Sequence, residues 1–249
     1  MKGFEDHFSA RAPLYARYRP RYPDSLFTWL AAITPSRRRA WDCATGSGQA
    51  AVSLCRHFDL VIATDASTSQ IAPSLRAPGP VYAAMTAERA AIANGSVALD
   101  TIAQALHWFD AGAFFGEAQR VLEPRGVIAA WSYGLCSITP SIDRVIERFY
   151  ADTLKDYWPP ERAMVDDGYA SVTLPLPEIA APPFTMEERW SLEHMLGYLS
   201  TWSAVTRFAA TTGEDAMASL APELGSLWPH AETARLVSWP LALRVGRAE

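Results

Sequence analysis

Apolar residues recur along the chain in two alternating rhythms. Over residues 24–33, DSLFTWLAAI, Leu26, Trp29, Leu30 and Ile33 fall at helical spacing behind Pro23. RRRAWDCA then reads as a short strand entering a glycine turn, and residues 47–58 return to helical spacing with Ala51, Leu54 and Phe58 on one face. DLVIATD, 59–65, is a continuous run rich in β-branched residues and closed by an acid, as expected of a strand buried on both faces. A short helix interrupted by Pro73 leads to a third strand near PVYAAM, 80–85, and ALDTIAQAL, 98–106, supplies a fourth. Asp110 suits the N-cap of a helix carrying Phe114, Phe115, Ala118 and Val121, which stops before Pro124-Arg125-Gly126. GVIAAWSY, 126–133, is the fifth strand. Strands that alternate with helices predict an α/β fold, a mostly parallel sheet covered on both faces.

The rhythm changes after residue 134. A helix is expected at about 140–155, then a loop rich in proline and acid, then a strand over PFTMEERW, 183–190, and further helices. ARLVSWPLALRVGR, 234–247, closes the chain as one or two extended pieces around Pro240, which favours an edge or a bulge. One domain accounts for this pattern. Residues 1–34 form an N-terminal lid, 36–134 the core, 135–233 a helical insertion that caps the substrate side, and 234–247 the terminal strand.

Composition adjusts the picture in few places. With 249 residues, about half of them hydrophobic, the chain can bury a sizeable core, and its charge of −5 makes it no obvious partner for nucleic acid. Cys43, Cys55 and Cys136 are an odd number without metal-like spacing, so no metal site is expected. The charged N-terminal stretch and the lack of a long apolar span predict a cytoplasmic protein away from membranes.

The stretch WDCATGSGQAAVSL, 41–54, fits two cofactor cradles. Gly46 to Ala51 matches the G-x-G-x-x-G/A turn that binds dinucleotides, which would make the protein an NAD-dependent oxidoreductase. Asp42 to Gly48 also reads as an acidic strand end followed by a glycine turn, the arrangement that holds S-adenosylmethionine. Asp65, 19 residues after Gly46, ends the second strand where a carboxylate takes both ribose hydroxyls. It also suits an N-cap for the segment starting near Ser67, and the two roles are compatible. Adenosine is common to both cofactors, so other features must separate them. Asp42 would repel a pyrophosphate at the helix N-terminus but suits an ammonium group, although a structural bond to the glycine-loop amides would also explain it. Glu88, after the third strand, is placed for an adenine amino group. The chain also runs from the fifth strand to an extended C-terminus, without a second nucleotide half.

Several stretches together carry a resemblance: YARYRPRYP (15–23), WDCATGSGQAA (41–51), IATDAS (62–67), TAERAAI (86–92), QALHWFD (104–110), RVLEPRGVIAAWSY (120–133) and GYLSTWSAV (197–205). The sequence resembles class I, seven-stranded methyltransferases that use S-adenosylmethionine, in the type 11 group whose members are similar to trans-aconitate methyltransferase. The resemblance implies a Rossmann-like sheet whose last strand is antiparallel, with the N-terminal segment over the cofactor. It implies cofactor contacts from Tyr15, Arg19, Asp42, Ala44, Thr45, Gly46, Gly48, Gln49, Asp65, Ala66, Ile71, Ala87, Glu88, Gln104 and Ala105. Ala44 stands where a glycine is usual, and Arg125 where a Gly-Gly turn is common. Ala44 is expected to be tolerated if that position keeps a negative φ, its methyl narrowing the space near the cofactor; a weakened site is the alternative.

His107 closes the expected fourth strand, where it would act as a base, orient the ligands, or merely cap the strand beside Trp108. Trp108, Trp131, Tyr133, Trp158, Tyr169, Tyr198 and Trp202 are candidate walls of an acceptor pocket, although any one aromatic residue is as readily a core residue. As a set they point to a small, partly apolar acceptor, methylated on a carboxylate or other oxygen. The absence of an N-P-P-Y or D-P-P-Y run argues against bases of nucleic acids. A non-catalytic protein that binds S-adenosylmethionine or S-adenosylhomocysteine is the other alternative.

Overall fold

Residues 17–74, 79–228 and 230–249 are described in a computed structural model, and they alternate helix and strand as far as Ser132. Helix α1 (Asp24–Ile33) buries Leu26, Phe27, Leu30 and Ala31, adjacent pairs one turn apart that make a single apolar stripe. Strand β1 (Arg39–Cys43) leads through the glycine turn to α2 (Gln49–Leu54), then β2 (Leu60–Asp65), α3 (Thr68–Ser74) and β3 (Val81–Ala84). Strand β4 (Val97–Ala103), α4 (Ala111–Val121) and β5 (Leu122–Ser132) complete the parallel part. The Asp110 carboxylate accepts the Ala113 N–H at 3.1 Å and so caps α4 as its sequence suggests.

The main sheet has the order β3-β2-β1-β4-β5-β8, with β8 (Ala242–Arg247) antiparallel to β5 and every other pair parallel. The strand order reverses between β1 and β4. That crevice, beyond the strands' carboxyl ends, is where an open α/β sheet takes its ligand.

Six strands form this sheet, not the seven expected. The chain that runs along the outer edge of β8 is LPLPEIAAPP, residues 174–183. It makes an isolated bridge from Glu178 to Gly246 and two backbone bonds, Ile179 N–H to Val245 O at 2.9 Å and Arg247 N–H to Pro177 O at 3.0 Å. Pro175, Pro177, Pro182 and Pro183 have no N–H to donate, so the ladder cannot lengthen into a strand.

Two further boundaries differ from expectation. Strand β5 begins at Leu122, but its register jumps from Val97↔Leu122 to Leu99↔Val127, so Pro124-Arg125-Gly126 bulges from the ladder. Strand β4 ends at Ala103, because Gln104 takes a left-handed φ of 57° and Leu106–Trp108 form one 3-10 turn. His107 therefore sits in that turn and does not close the strand.

Beyond β5 the chain builds a second apolar cluster. Helix α5 (Pro140–Arg148) continues as a π turn over Phe149–Thr153 and a 3-10 turn over Lys155–Tyr157, in place of one helix to 155. Then follow α6 (Arg162–Asp166), β6 (Thr185–Trp190), α7 (Leu192–Ser200), α8 (Ser203–Thr212), α9 (Met217–Leu227) and β7 (Arg235–Pro240). The expected terminal strand over 234–247 is two strands in two sheets. Strand β7 pairs antiparallel with β6 and buries Val237 and Trp239 in the cap, whereas β8 joins the main sheet. They part at Leu241, whose N–H goes to Phe184 O at 2.9 Å just after Pro240. The cap thus extends to Pro240.

Candidate functional site

The turn after β1 is made of alternating left-handed positions: Ala44 at φ 55°, Gly46 at 53° and Gly48 at 82°. Ala44 is thus not at negative φ, and its methyl, packed against the apolar cluster of Trp41, Cys43 and Phe114, does not simply crowd the cradle. Gly48 has no room for a side chain, since a Cβ there would lie 2.4 Å from the Tyr82 hydroxyl; it forms the N-cap of α2, whose first residue is Gln49. At Gly46 an added Cβ would meet no atom within 4 Å, so the turn faces open space.

Two acids flank this turn. Asp42 is buried at the end of β1, accepting the Thr45 hydroxyl at 2.5 Å and the Thr101 hydroxyl at 2.8 Å. Burial pushes its carboxyl up to about 6, against the pull of those hydroxyls. The backbone of Ala51 also hydrogen-bonds this carboxyl, and the Thr101 partner follows from register, Thr101 being Asp42's neighbour on β4. Asp65, at the end of β2, accepts the Gly46 N–H and the Ser67 N–H, both at 2.9 Å. It both anchors the turn and caps the next segment. Ala66 follows it, and Ile71 is buried on α3.

The loop after β3 presents Ala87, which is buried, and Glu88, whose carboxylate accepts the Asp110 N–H at 3.2 Å. A clasp not found in the sequence reading holds the loop from behind. Glu117 on α4 accepts the Ala90 N–H at 2.6 Å and pairs with Arg120. Arg120 in turn donates to Ile92 O at 2.7 Å and Ala90 O at 3.0 Å. The i,i+3 spacing of Glu117 and Arg120 was the available signal.

On the other side of the crevice, Gln104 exchanges two hydrogen bonds with the backbone of Tyr133. Its Nε2 donates to Tyr133 O at 3.2 Å and its Oε1 accepts the Tyr133 N–H at 2.9 Å. Tyr133 Oη accepts from Arg19 at 3.2 Å, and the Arg19 guanidinium lies 5.3 Å over the ring of Tyr198. Ala105 is buried in the cluster behind the crevice. Tyr15 lies outside the described residues.

His107 is buried, with Nδ1 3.0 Å from the Tyr169 hydroxyl and its ring 4.7 Å from that of Trp108. Burial, and then the charge of Arg162, hold the imidazole down to about 3. Tyr169 is itself buried at a left-handed φ of 63°, and its carbonyl accepts from Arg244 of β8 at 2.5 Å.

The predicted aromatic residues divide by position. Tyr198, Trp202 and Trp158 follow one another at ring separations of 6.0 and 5.5 Å, and Arg162 lies 5.0 Å over Trp158. Arg19 lies at one end of this arc, and at the other the charge of Arg162 reaches His107. Trp131 is not brought to the arc. Fully buried, it packs edge-on against Tyr22 and Phe27 in the cluster on the other face of the sheet. Arg162 and Tyr150 belong to the arc and were missed, because only the folded cap brings them near residue 107. Among the described residues no cluster of metal-ligating side chains occurs, and no helix is long and apolar enough to cross a membrane.

Known proteins match this chain in sequence and fold. The methyltransferase-domain family matches residues 41–130, from β1 into β5. A Dictyostelium discoideum protein named as a methyltransferase is 34% identical over 218 residues, covering 86% of this chain and 83% of the relative. The chain belongs to the S-adenosylmethionine-dependent methyltransferases. The methyltransferase also superposes at TM-score 0.87 on a structure from Anaeromyxobacter dehalogenans titled as a type II methyltransferase, 45% identical, covering 92% of this chain and 98% of that one. A structure from Anabaena variabilis, titled as a methyltransferase from an antibiotic biosynthesis pathway, is 14% identical at TM-score 0.54 over 90% of this chain and 98% of its own, and shares the fold.

The cofactor is accordingly S-adenosylmethionine, and the dinucleotide reading of Gly46–Ala51 falls away. The described residues fit it. At Gly46 an added Cβ meets no atom within 4 Å, and two backbone N–H groups fix the Asp65 carboxylate beside the turn, at the carboxyl end of β2 where an open α/β sheet takes its ligand.

Proposed function

We propose that the methyltransferase O-methylates a small organic acid. In this reading Asp65 takes the ribose hydroxyls, Ala66 and Ile71 flank the ribose and adenine, and Ala87 and Glu88 meet the adenine edge. Asp42, Ala44, Thr45, Gly46, Gly48 and Gln49 surround the amino-acid end, with Arg19 at its carboxylate, Tyr15 near the sulfonium or methionine chain, and Gln104 and Ala105 beneath. When bound, S-adenosylmethionine supplies a methyl group on a positively charged sulfur.

The observation that favours an acid acceptor is the state of His107. With its imidazole held down to about 3, it is a weak base at neutral pH and a poor agent for removing a proton from a phenol or an amine. A carboxylate needs no base. Its oxygen is already a nucleophile, and its negative charge is lost as the new O–CH3 bond forms, so alignment in a dry, aromatic setting supplies the acceleration. His107 then orients the acceptor, fixed by its contact with Tyr169, while Tyr133, Trp108, Trp158, Tyr198 and Trp202 give the pocket its apolar wall.

Transfer of labelled methyl to a panel of carboxylic acids, phenols and amines tests the reading. Base-labile methyl esters are the expected products. Label that enters only phenols or amines refutes it, and tight S-adenosylhomocysteine binding without turnover on any member would make the protein a non-catalytic binder.

A further inference from the structure

Arg162 has a setting that its role in the cap fold does not require. Its guanidinium lies beside two aromatic rings, 5.2 Å from the centre of Tyr150 and 5.0 Å from that of Trp158. Those rings are themselves locked, 4.6 Å apart, with the Trp158 indole N–H donating to Tyr150 O at 3.1 Å. Only the Nε edge of the guanidinium is tied down, to Tyr150 Oη at 2.9 Å and Asp166 Oδ1 at 3.0 Å. Among the described residues its two terminal nitrogens have no hydrogen-bond partner, although the side chain is only 18% exposed. Asp166, at 45% exposure, is screened by water. The charge of Arg162 still reaches His107, whose 3-10 turn packs against α6.

We propose that Arg162 selects acceptors that bear a carboxylate, gripping that group with the two terminal nitrogens of its guanidinium. The inference rests on the acid acceptor proposed above and names the side chain that recognises it. A planar guanidinium presents two parallel N–H donors that match the two oxygens of a carboxylate, a fit that an ammonium group lacks. Here the fork is pre-organised. Aromatic faces hold its plane and the Asp166–Tyr150 pair holds its back edge, so little side-chain freedom remains to be lost on binding. The same aromatic residues, continued by Trp202 at 5.5 Å from Trp158, give the acceptor's apolar part a surface beside the charge.

Trp158 borders the guanidinium and Trp202 lies 5.5 Å beyond Trp158, so tryptophan fluorescence reports occupancy. Protein saturated with S-adenosylhomocysteine is titrated with phenylacetate and glutarate, and with their neutral counterparts phenylacetamide and glutaramide. A saturable response to a carboxylate, at least 10-fold weaker for its amide, is expected. Arg162→Gln is expected to weaken carboxylate binding by about 10- to 100-fold, the loss of charge-assisted hydrogen bonds, and to erase the preference for acid over amide. Arg162→Lys keeps the charge without the fork and is expected to recover part of the affinity, which guards against misfolding of the first variant. Unchanged S-adenosylhomocysteine affinity in both variants shows that the cofactor half is intact. Three results overturn the proposal: equal binding of acid and amide by the wild type, an acid preference retained in Arg162→Gln, or no response to either carboxylate. Carboxylate binding that depends on Arg162, without methyl transfer to any acid, leaves the proposal standing and refutes the proposed function instead.

Discussion

Ala44 and His107 show how much a single residue's setting decides. A left-handed alanine costs about 1–2 kcal/mol over glycine, less the 0.5–1 kcal/mol of chain entropy that glycine loses on folding. Packing of the Ala44 methyl against the neighbouring cluster offsets part of the rest. Ala44→Gly is therefore expected to stabilise by about 0.5 kcal/mol, a rise of about 1–2 °C in a thermal melt, with S-adenosylhomocysteine affinity unchanged. A lower melting temperature would mean that the methyl contact dominates. His107 makes a statement about pH. Its imidazole is depressed from 6.5 to about 3, so between those values the unfolded chain binds the extra proton. The stability it contributes is present above pH 6.5 and is lost as pH falls toward 3. Asp42, raised from 3.8 to about 6, works the other way, its burial costing stability as pH rises through that window. Denaturant titrations of wild type and His107→Gln are expected to diverge near neutrality and converge on acidification.

At the level of elements, the predicted order of strands and helices is the observed one through β5, because the buried strands are mostly apolar runs and the longer helices are amphipathic. What the pattern could not show is how side chains close gaps between elements. The bond pair of Gln104 with Tyr133, the bond from the Ala90 N–H to Glu117 and the Tyr169–His107 contact join residues 29, 27 and 62 positions apart, and no local period encodes them. Trp131 was misplaced for a related reason. In a strand buried on both faces no polar residue marks the inward side, so its aromatic ring gave no hint of which cluster it enters. The clasp invites a test. Arg120→Ala is expected to speed hydrogen exchange at the Ala90 amide and its neighbours, leaving the strands β1 and β4 protected. Uniform loss of protection would show that the loop is not a separate unit.

Taken whole, the molecule divides its labour. The sheet's carboxyl ends carry the residues proposed to hold the cofactor, and the chain beyond β5 carries most of the aromatic residues proposed for the acceptor, around its own apolar cluster. Arg244 is one tie between them: it stands on β8, yet binds Tyr169 O at 2.5 Å and the Glu178 carboxylate at 2.7 and 3.0 Å. Arg244→Ala is expected to raise the KM for acceptor several-fold and to speed proteolysis between residues 167 and 180, while S-adenosylhomocysteine affinity stays as it was. Equal loss of both affinities would show that the halves are not separable.

The proline-bearing segment along β8 has a consequence beyond strand count. The margin of a sheet is a row of unused donors and acceptors on which another chain can grow. Here that margin is occupied by a neighbour that satisfies two of those groups and, at Pro175, Pro177, Pro182 and Pro183, has no donors of its own to pass the pattern on. The segment acts as a terminator: it completes the edge and cannot serve as a template for the next strand.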